Sequence, residues 1–210
     1  KFDNKNLKSY FRFRDLDPDP RGRITYEEYQ TLIQALKEGG KAPKNSKLPA
    51  YFAQFLSVYL ANQDSPELIT WEDYLASLYY AYAMKCSNKF VSEWFELNLN
   101  INNILSAITC RKFGWDKKAY IIGNNKVAES IRSSNARDFG LGDEVDYLPE
   151  LIRIAEEPDL TLREKKLDVL KWNWLDEKTF FKTFDIESVF AYMLKLEIIE
   201  RWVTLDKEAG

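Results

Sequence analysis

The chain has 210 residues, 45% of them hydrophobic and 15% aromatic, with 30 Lys and Arg against 33 Asp and Glu for a net charge of −3. That is ample for a packed core in one large or two small domains. The interspersed charge leaves no basic footprint for nucleic acid and argues against direct binding to an acidic lipid surface. No stretch of about 18 uncharged apolar residues occurs, and no basic start leads into an apolar signal segment. The expectation is a cytoplasmic protein without direct membrane insertion.

Gly and Pro number only 8 and 7, and strictly alternating β-branched runs are nearly absent, which predicts an all-α fold. From Asp3 to Asp15, Leu7, Tyr10, Phe11 and Phe13 fall on one helical face, with Asp3 as its N-cap. The chain begins at Lys1 inside this pattern, which predicts a further N-terminal segment in the full protein.

The next stretch, Asp17 to Glu28, matches the spacing of a calcium-binding EF-hand loop at Asp17, Asp19, Gly22, Ile24 and Glu28. Arg21 stands where the fifth position should donate an oxygen, Pro18 and Pro20 remove two N–H groups, and no second hand accompanies it. The structural reading is a Pro/Gly turn followed by a capping box of Thr25 and Glu28. No metal is expected; the alternative is a calcium site built from Asp17, Asp19 and Glu28.

A helix follows from Tyr26 to Lys37, closed by Gly39 and Gly40, and after a loop through Lys47 and Pro49 another carries Tyr51, Phe52, Phe55, Leu56, Tyr59 and Leu60. Asp64, Ser65 and Pro66 make a turn, and Thr70 with Asp73 starts the next element.

From Pro66 to Gly114 the chain runs without another Pro or Gly, while Leu75, Leu78, Tyr82, Cys86, Phe90, Trp94, Leu97, Ile101, Ile104 and Ile108 follow in steps of three or four. This predicts one very long helix, Thr70 to Phe113, about 65 Å in length, joining helical bundles of about two related units. The domains would be 1–95, including the first half of the long helix, and 96–210, or a single continuous domain. The alternative is two helices meeting at the knee Asn98, Asn100, Asn102 and Asn103, because Asn prefers caps and turns. Cys86 and Cys110 would stand about 36 Å apart on a continuous helix, beyond disulfide reach.

Past Gly114, the segment Tyr120 to Asn125 is a turn, with Asn124 or Asn125 opening a helix to about Ser133. Asp138-Phe139-Gly140 repeats the letters of a kinase magnesium motif, but no glycine-rich loop or catalytic-loop histidine accompanies it, which excludes a kinase. Asp143 or Asp146 starts a helix ending near Pro158, and Thr161 with Glu164 forms a capping box for the next. Asp185 caps the last helix, whose apolar face holds Ile186, Val189, Phe190, Met193, Leu194 and Ile198.

With no histidine, the commonest general base and metal ligand are both missing. Glu156-Glu157 and Glu197-Glu200 read as solvated faces, with Glu197 paired to Arg201. No catalytic residue and no cofactor are expected, and the chain is read as not an enzyme; a carboxylate site in a deep polar pocket is the remaining alternative.

Asp3-Asn4-Lys5-Asn6-Leu7, with Ser9 and Arg14, lines up with Asn100-Ile101-Asn102-Asn103-Ile104, with Ser106 and Arg111, which suggests a repeated helical unit. This echo resembles the repeated pattern of the central-stalk socket protein of V-type and A-type ATPases, the component known as C or d. Together with the stretches Trp94 to Leu105, Asp138 to Leu141, Lys171 to Leu175 and Glu200 to Trp202, the chain resembles a bacterial family of uncharacterised proteins associated with V-type ATP synthase genes. The resemblance implies a non-catalytic, all-helical adaptor of the central stalk. Its partners would be the central-shaft and membrane c-ring subunits, and it would lie peripheral to the inner face of the membrane through them. The socket protein normally has three bundle units and this chain has room for about two. Asn100, Asn102, Asn103 and Arg111 are the interface candidates, because polar residues on a long helix need partners. A kink or cap accounts for the asparagines equally well. A helical scaffold of another assembly is the second alternative to calcium binding.

Overall fold

The computed structural model describes residues 1–12, 19–39, 48–62 and 70–209. Among them are nine α-helices, two short 3-10 turns and no strand, so the chain is all-α. The helices are α1 (Phe2–Arg12), α2 (Tyr26–Lys37), α3 (Ala50–Ala61), α4 (Trp71–Ala83), α5 (Lys89–Phe113), α6 (Lys126–Ser133), α7 (Leu148–Ala155), α8 (Leu160–Thr179) and α9 (Ile186–Ala209). They group into two compact units, Lys1–Ala83 and Met84–Gly210.

In the first unit α3 packs against both α2 and α4. Its sequence is apolar on nearly every side, as a helix covered on two faces requires. Tyr51, Phe52, Phe55 and Leu56 of α3 meet Leu7 of α1, Tyr29 and Leu32 of α2 and Leu75 of α4 in one buried cluster. Burying each such side chain contributes about 1.5–3 kcal/mol. The predicted capping box is present: Glu28 N–H donates to Thr25 Oγ1 at 3.3 Å, and Thr25 N–H donates to Glu28 Oε2 at 2.9 Å.

The predicted continuous helix from Thr70 to Phe113 is instead two helices, α4 and α5, separated by Met84–Asn88. Local capping outcompetes propagation here. Asn88 accepts the Val91 N–H as the N-cap of α5, and Ser92 Oγ donates to the Met84 carbonyl at 2.8 Å. The apolar face keeps its phase through Tyr82, Cys86 and Phe90, so the interruption leaves no mark in the periodicity. The asparagine knee is not the break either, since Asn98 to Asn103 lie inside unbroken α5. As predicted, α5 ends at Gly114, left-handed with φ 68°, and the Gly114 and Trp115 N–H groups both donate to the Cys110 carbonyl.

In the second unit α5 is the spine, packed against α6 and α7, with α8 on α7 and α9 on α8. Ten residues of α5 are buried, among them Trp94, Ile101, Ile104 and Cys110. The capping box expected at Thr161 is replaced by Asp159, whose carboxylate accepts the Leu162 N–H at 2.9 Å, so α8 already begins at Leu160. Asn125 and Asp185 cap α6 and α9 as expected. The Asp138-Phe139-Gly140 letters form a turn in which the Asp138 carboxylate accepts the Gly140 and Gly142 N–H groups.

Candidate interaction surfaces

Of the calcium candidates, Asp19, in the loop before α2, and Glu28, in the first turn of α2, already have internal partners. Asp17 lies outside the described residues. The Asp19 carboxylate takes two hydrogen bonds from the Arg21 guanidinium, at 2.9 Å each, and one from Lys5 at 3.2 Å. The Arg21 contact above all holds the Asp19 carboxyl well below the usual carboxylate range. Glu28 is in the capping box. Among the described residues, no group of three or more His, Cys, Asp or Glu is arranged to hold a metal.

What fixes this loop is α1. Asn6 Nδ2 donates to the Asp19 carbonyl at 3.1 Å while Asp19 N–H donates to Asn6 Oδ1 at 2.8 Å. One side-chain amide thus clasps both polar groups of a single loop residue. Asp3, expected as the N-cap of α1, instead accepts the Arg23 and Ile24 N–H groups at 2.6 and 3.0 Å. Gly22 permits the close approach, because a Cβ there would meet Asn6 Nδ2 at 2.2 Å. Asn4 accepts the Tyr51 hydroxyl at 2.7 Å, and burial pushes that phenol far above its ordinary value.

The interface candidates on α5 do the same work in the second unit. Asn103 Nδ2 donates to the Ile122 carbonyl at 2.8 Å, and Ile122 N–H donates to Asn103 Oδ1 at 3.0 Å. Asn100 Oδ1 accepts from the side chain of Asn125, the α6 cap, at 2.8 Å. Both Asn100 and Asn103 are buried, whereas Asn102 is exposed. Arg111 donates to the Ala136 and Arg137 carbonyls at 2.6 and 2.8 Å and lies over the Phe139 ring, 4.1 Å from its centroid. Arg132 adds two bonds, to the Ile121 and Gly123 carbonyls. Three of the four candidates therefore organise the loops beside α5. The aligned positions Asn6 and Asn103 make the same two bonds, and Asp3 and Asn100 both reach the start of the following helix. Arg14, aligned with Arg111, lies outside the described residues.

Sequence reasoning missed Asp168. It is buried on α8, ion-paired with Arg201 of α9, and accepts the Trp202 indole N–H at 2.8 Å. Arg201 also reaches Glu164 at 3.5 Å. Glu197, its expected partner, lies four residues away on the same helix, whereas Asp168 is brought in by tertiary packing.

The outer side of α9 is apolar and open. Val189, Tyr192, Leu196, Ile199 and Val203 are all exposed large side chains, in alternating steps of three and four. Their mean step of about 3.5 is that of a coiled-coil seam. At the turn into α9, Phe180, Phe181 and Phe184 are exposed as well, Phe184 with φ 60°. The first unit has a cavity of about 420 Å³ walled by Leu7, Phe55, Tyr59, Trp71 and Leu75, with Lys8 and Glu72 3.8 Å apart beside it.

The fold and these surfaces define an all-helical protein of two compact units, each held by an asparagine clasp. The chain belongs to the DUF2764 family, a family of proteins of unknown function, which it matches over residues 1–210. No curated protein and no solved structure matches it.

Proposed function

We propose that the protein is a non-catalytic helical adaptor of a V/A-type ATPase central stalk, linking the shaft to the membrane c-ring. The observation that carries this reading is the repeated clasp. The two stretches in which the sequence resembles the socket protein of these ATPases make the same pair of hydrogen bonds, through Asn6 in one unit and Asn103 in the other. The seam on α9 supplies a surface for a helix of a neighbouring protein, since five apolar side chains at 3-4 spacing suit a partner with the same period.

The experiment is affinity purification of the tagged protein from its native membranes. Shaft or c-ring subunits are expected in the eluate, and they should be lost with Leu196→Glu/Ile199→Glu while the helical circular dichroism is kept. Isolation of an intact ATPase from the same cells without this protein would overturn the proposal.

A further inference from the structure

The C-terminal end of α5 carries a feature the adaptor reading does not use. Phe113, Trp115 and Tyr120 form a ladder of stacked rings, with centroids 5.1 and 5.7 Å apart and both interplanar angles 25°. All three are about half exposed, at 57%, 51% and 46%. The backbone beneath them is fixed by the Gly114 cap and by Asp116, which accepts the Lys118 N–H at 3.0 Å.

Lys112 Nζ lies 5.8 Å from the centroid of the Phe113 ring, and the segment that carries the ladder, with the 136–138 turn bonded to Arg111, is rich in cations. Residues 111–120 and 136–138 hold Arg111, Lys112, Lys117, Lys118 and Arg137 against Asp116 and Asp138, a local surplus of three positive charges in a chain whose net charge is −3. Lys117 donates to the Ser134 carbonyl and to Asn135, and Arg111 is engaged as described. Lys112, Lys118 and Arg137 are exposed and have no carboxylate partner among the described residues. Both acidic groups already accept backbone N–H groups.

We propose that this ladder and its cationic rim form a docking surface for an anionic lipid bilayer, held at the headgroup level without spanning it. Charge complementarity names the partner's sign, and ring geometry names its kind. Stacking takes up one face of Phe113 and one of Tyr120 and engages Trp115 with both, so the rings have less open face to offer a nucleic-acid base than unstacked rings would. Their exposed area, about 300 Å² from half-buried rings, falls well short of the roughly 800 Å² per partner of a stable protein interface. Amphipathic rings flanked by Lys and Arg are suited to the bilayer interface. The Trp115 indole N–H and Tyr120 hydroxyl have no partner among the described residues and are available to headgroups. Whole-chain charge argues against an anionic surface, but the local distribution reverses that expectation. No described helix is long and apolar enough to cross a membrane, which suits a surface contact. The inference does not depend on the ATPase reading.

The test is co-sedimentation of the full chain with phosphatidylcholine vesicles, with and without phosphatidylglycerol. Binding is expected only to the anionic vesicles and should weaken as salt is raised. Lys112→Glu/Lys118→Glu should bind at least about tenfold more weakly, Trp115→Ala should also lose binding, and Lys85→Glu/Lys165→Glu, with the same charge change outside the patch, should match the unaltered chain. Circular dichroism checks that each variant stays folded. Equal binding to both vesicle types, absence of binding, an unchanged Lys112→Glu/Lys118→Glu variant, or capture of single-stranded oligothymidine in place of vesicles would each overturn the proposal.

Discussion

A primary amide offers one donor side and one acceptor, the same complement a peptide unit offers, so a buried asparagine can replace a neighbouring strand or turn as partner for one loop residue. Asn6 and Asn103 do this for Asp19 and Ile122. Removing the amide leaves a partly buried N–H and carbonyl without partners, so Asn103→Ala should lower stability by about 2 kcal/mol, measured by urea denaturation. Gly22→Ala should cost a similar amount by forcing the Asn6 amide off Asp19. A pH dependence follows from Asp19. Its carboxyl is depressed in the folded chain, mainly by Arg21, so folding is favoured where the unfolded group is ionised, above about pH 4, and this contribution is lost as pH falls toward the folded value. Arg21→Ala should raise the pH at which acid unfolding begins, read from thermal melts across an acid series.

At the scale of elements, α8 and α9 are joined by a buried carboxylate. Asp168→Ala should cost about 2 kcal/mol, toward the low end for a broken buried pair because Arg201 can still turn to water, and denaturant melts would show it. This contact also marks the limit of what the sequence discloses. Caps are local: Thr25, Asn125, Asp185 and Gly114 were legible because a helix end is decided within four residues of itself. Long-range polar partners were not. Asp168 finds Arg201 33 residues away, and Asn103 finds Ile122 19 residues away, so neither pairing leaves a spacing to read. The interruption at Met84–Asn88 was hidden for a different reason. The apolar face continues in phase across it, and only the single cap residue Asn88 distinguishes the site. The echo between Asp3-Asn4-Lys5-Asn6-Leu7 and Asn100-Ile101-Asn102-Asn103-Ile104 was visible as letters, but its physical content, a shared pair of hydrogen bonds, required coordinates.

Across the whole molecule, charge and apolarity are segregated in ways that averages conceal. A chain of net charge −3 carries a positive end on α5 and an apolar seam on α9, both outside the cores that hold the units together. Because the seam residues lie outside the buried cluster, Leu196→Glu/Ile199→Glu should leave the melting temperature within a few degrees while raising the concentration at which the isolated protein self-associates, as followed by light scattering.

The clasps have one more consequence, visible in deuterated water. Loop amides normally trade their protons for deuterium quickly, because solvent reaches them without any unfolding. The Asp19 and Ile122 amides cannot do so while Asn6 and Asn103 hold them. Each proton should therefore persist as long as those of the adjoining helices and be released only when its own unit opens, so that these two loop signals record the local stability of the two halves of the chain.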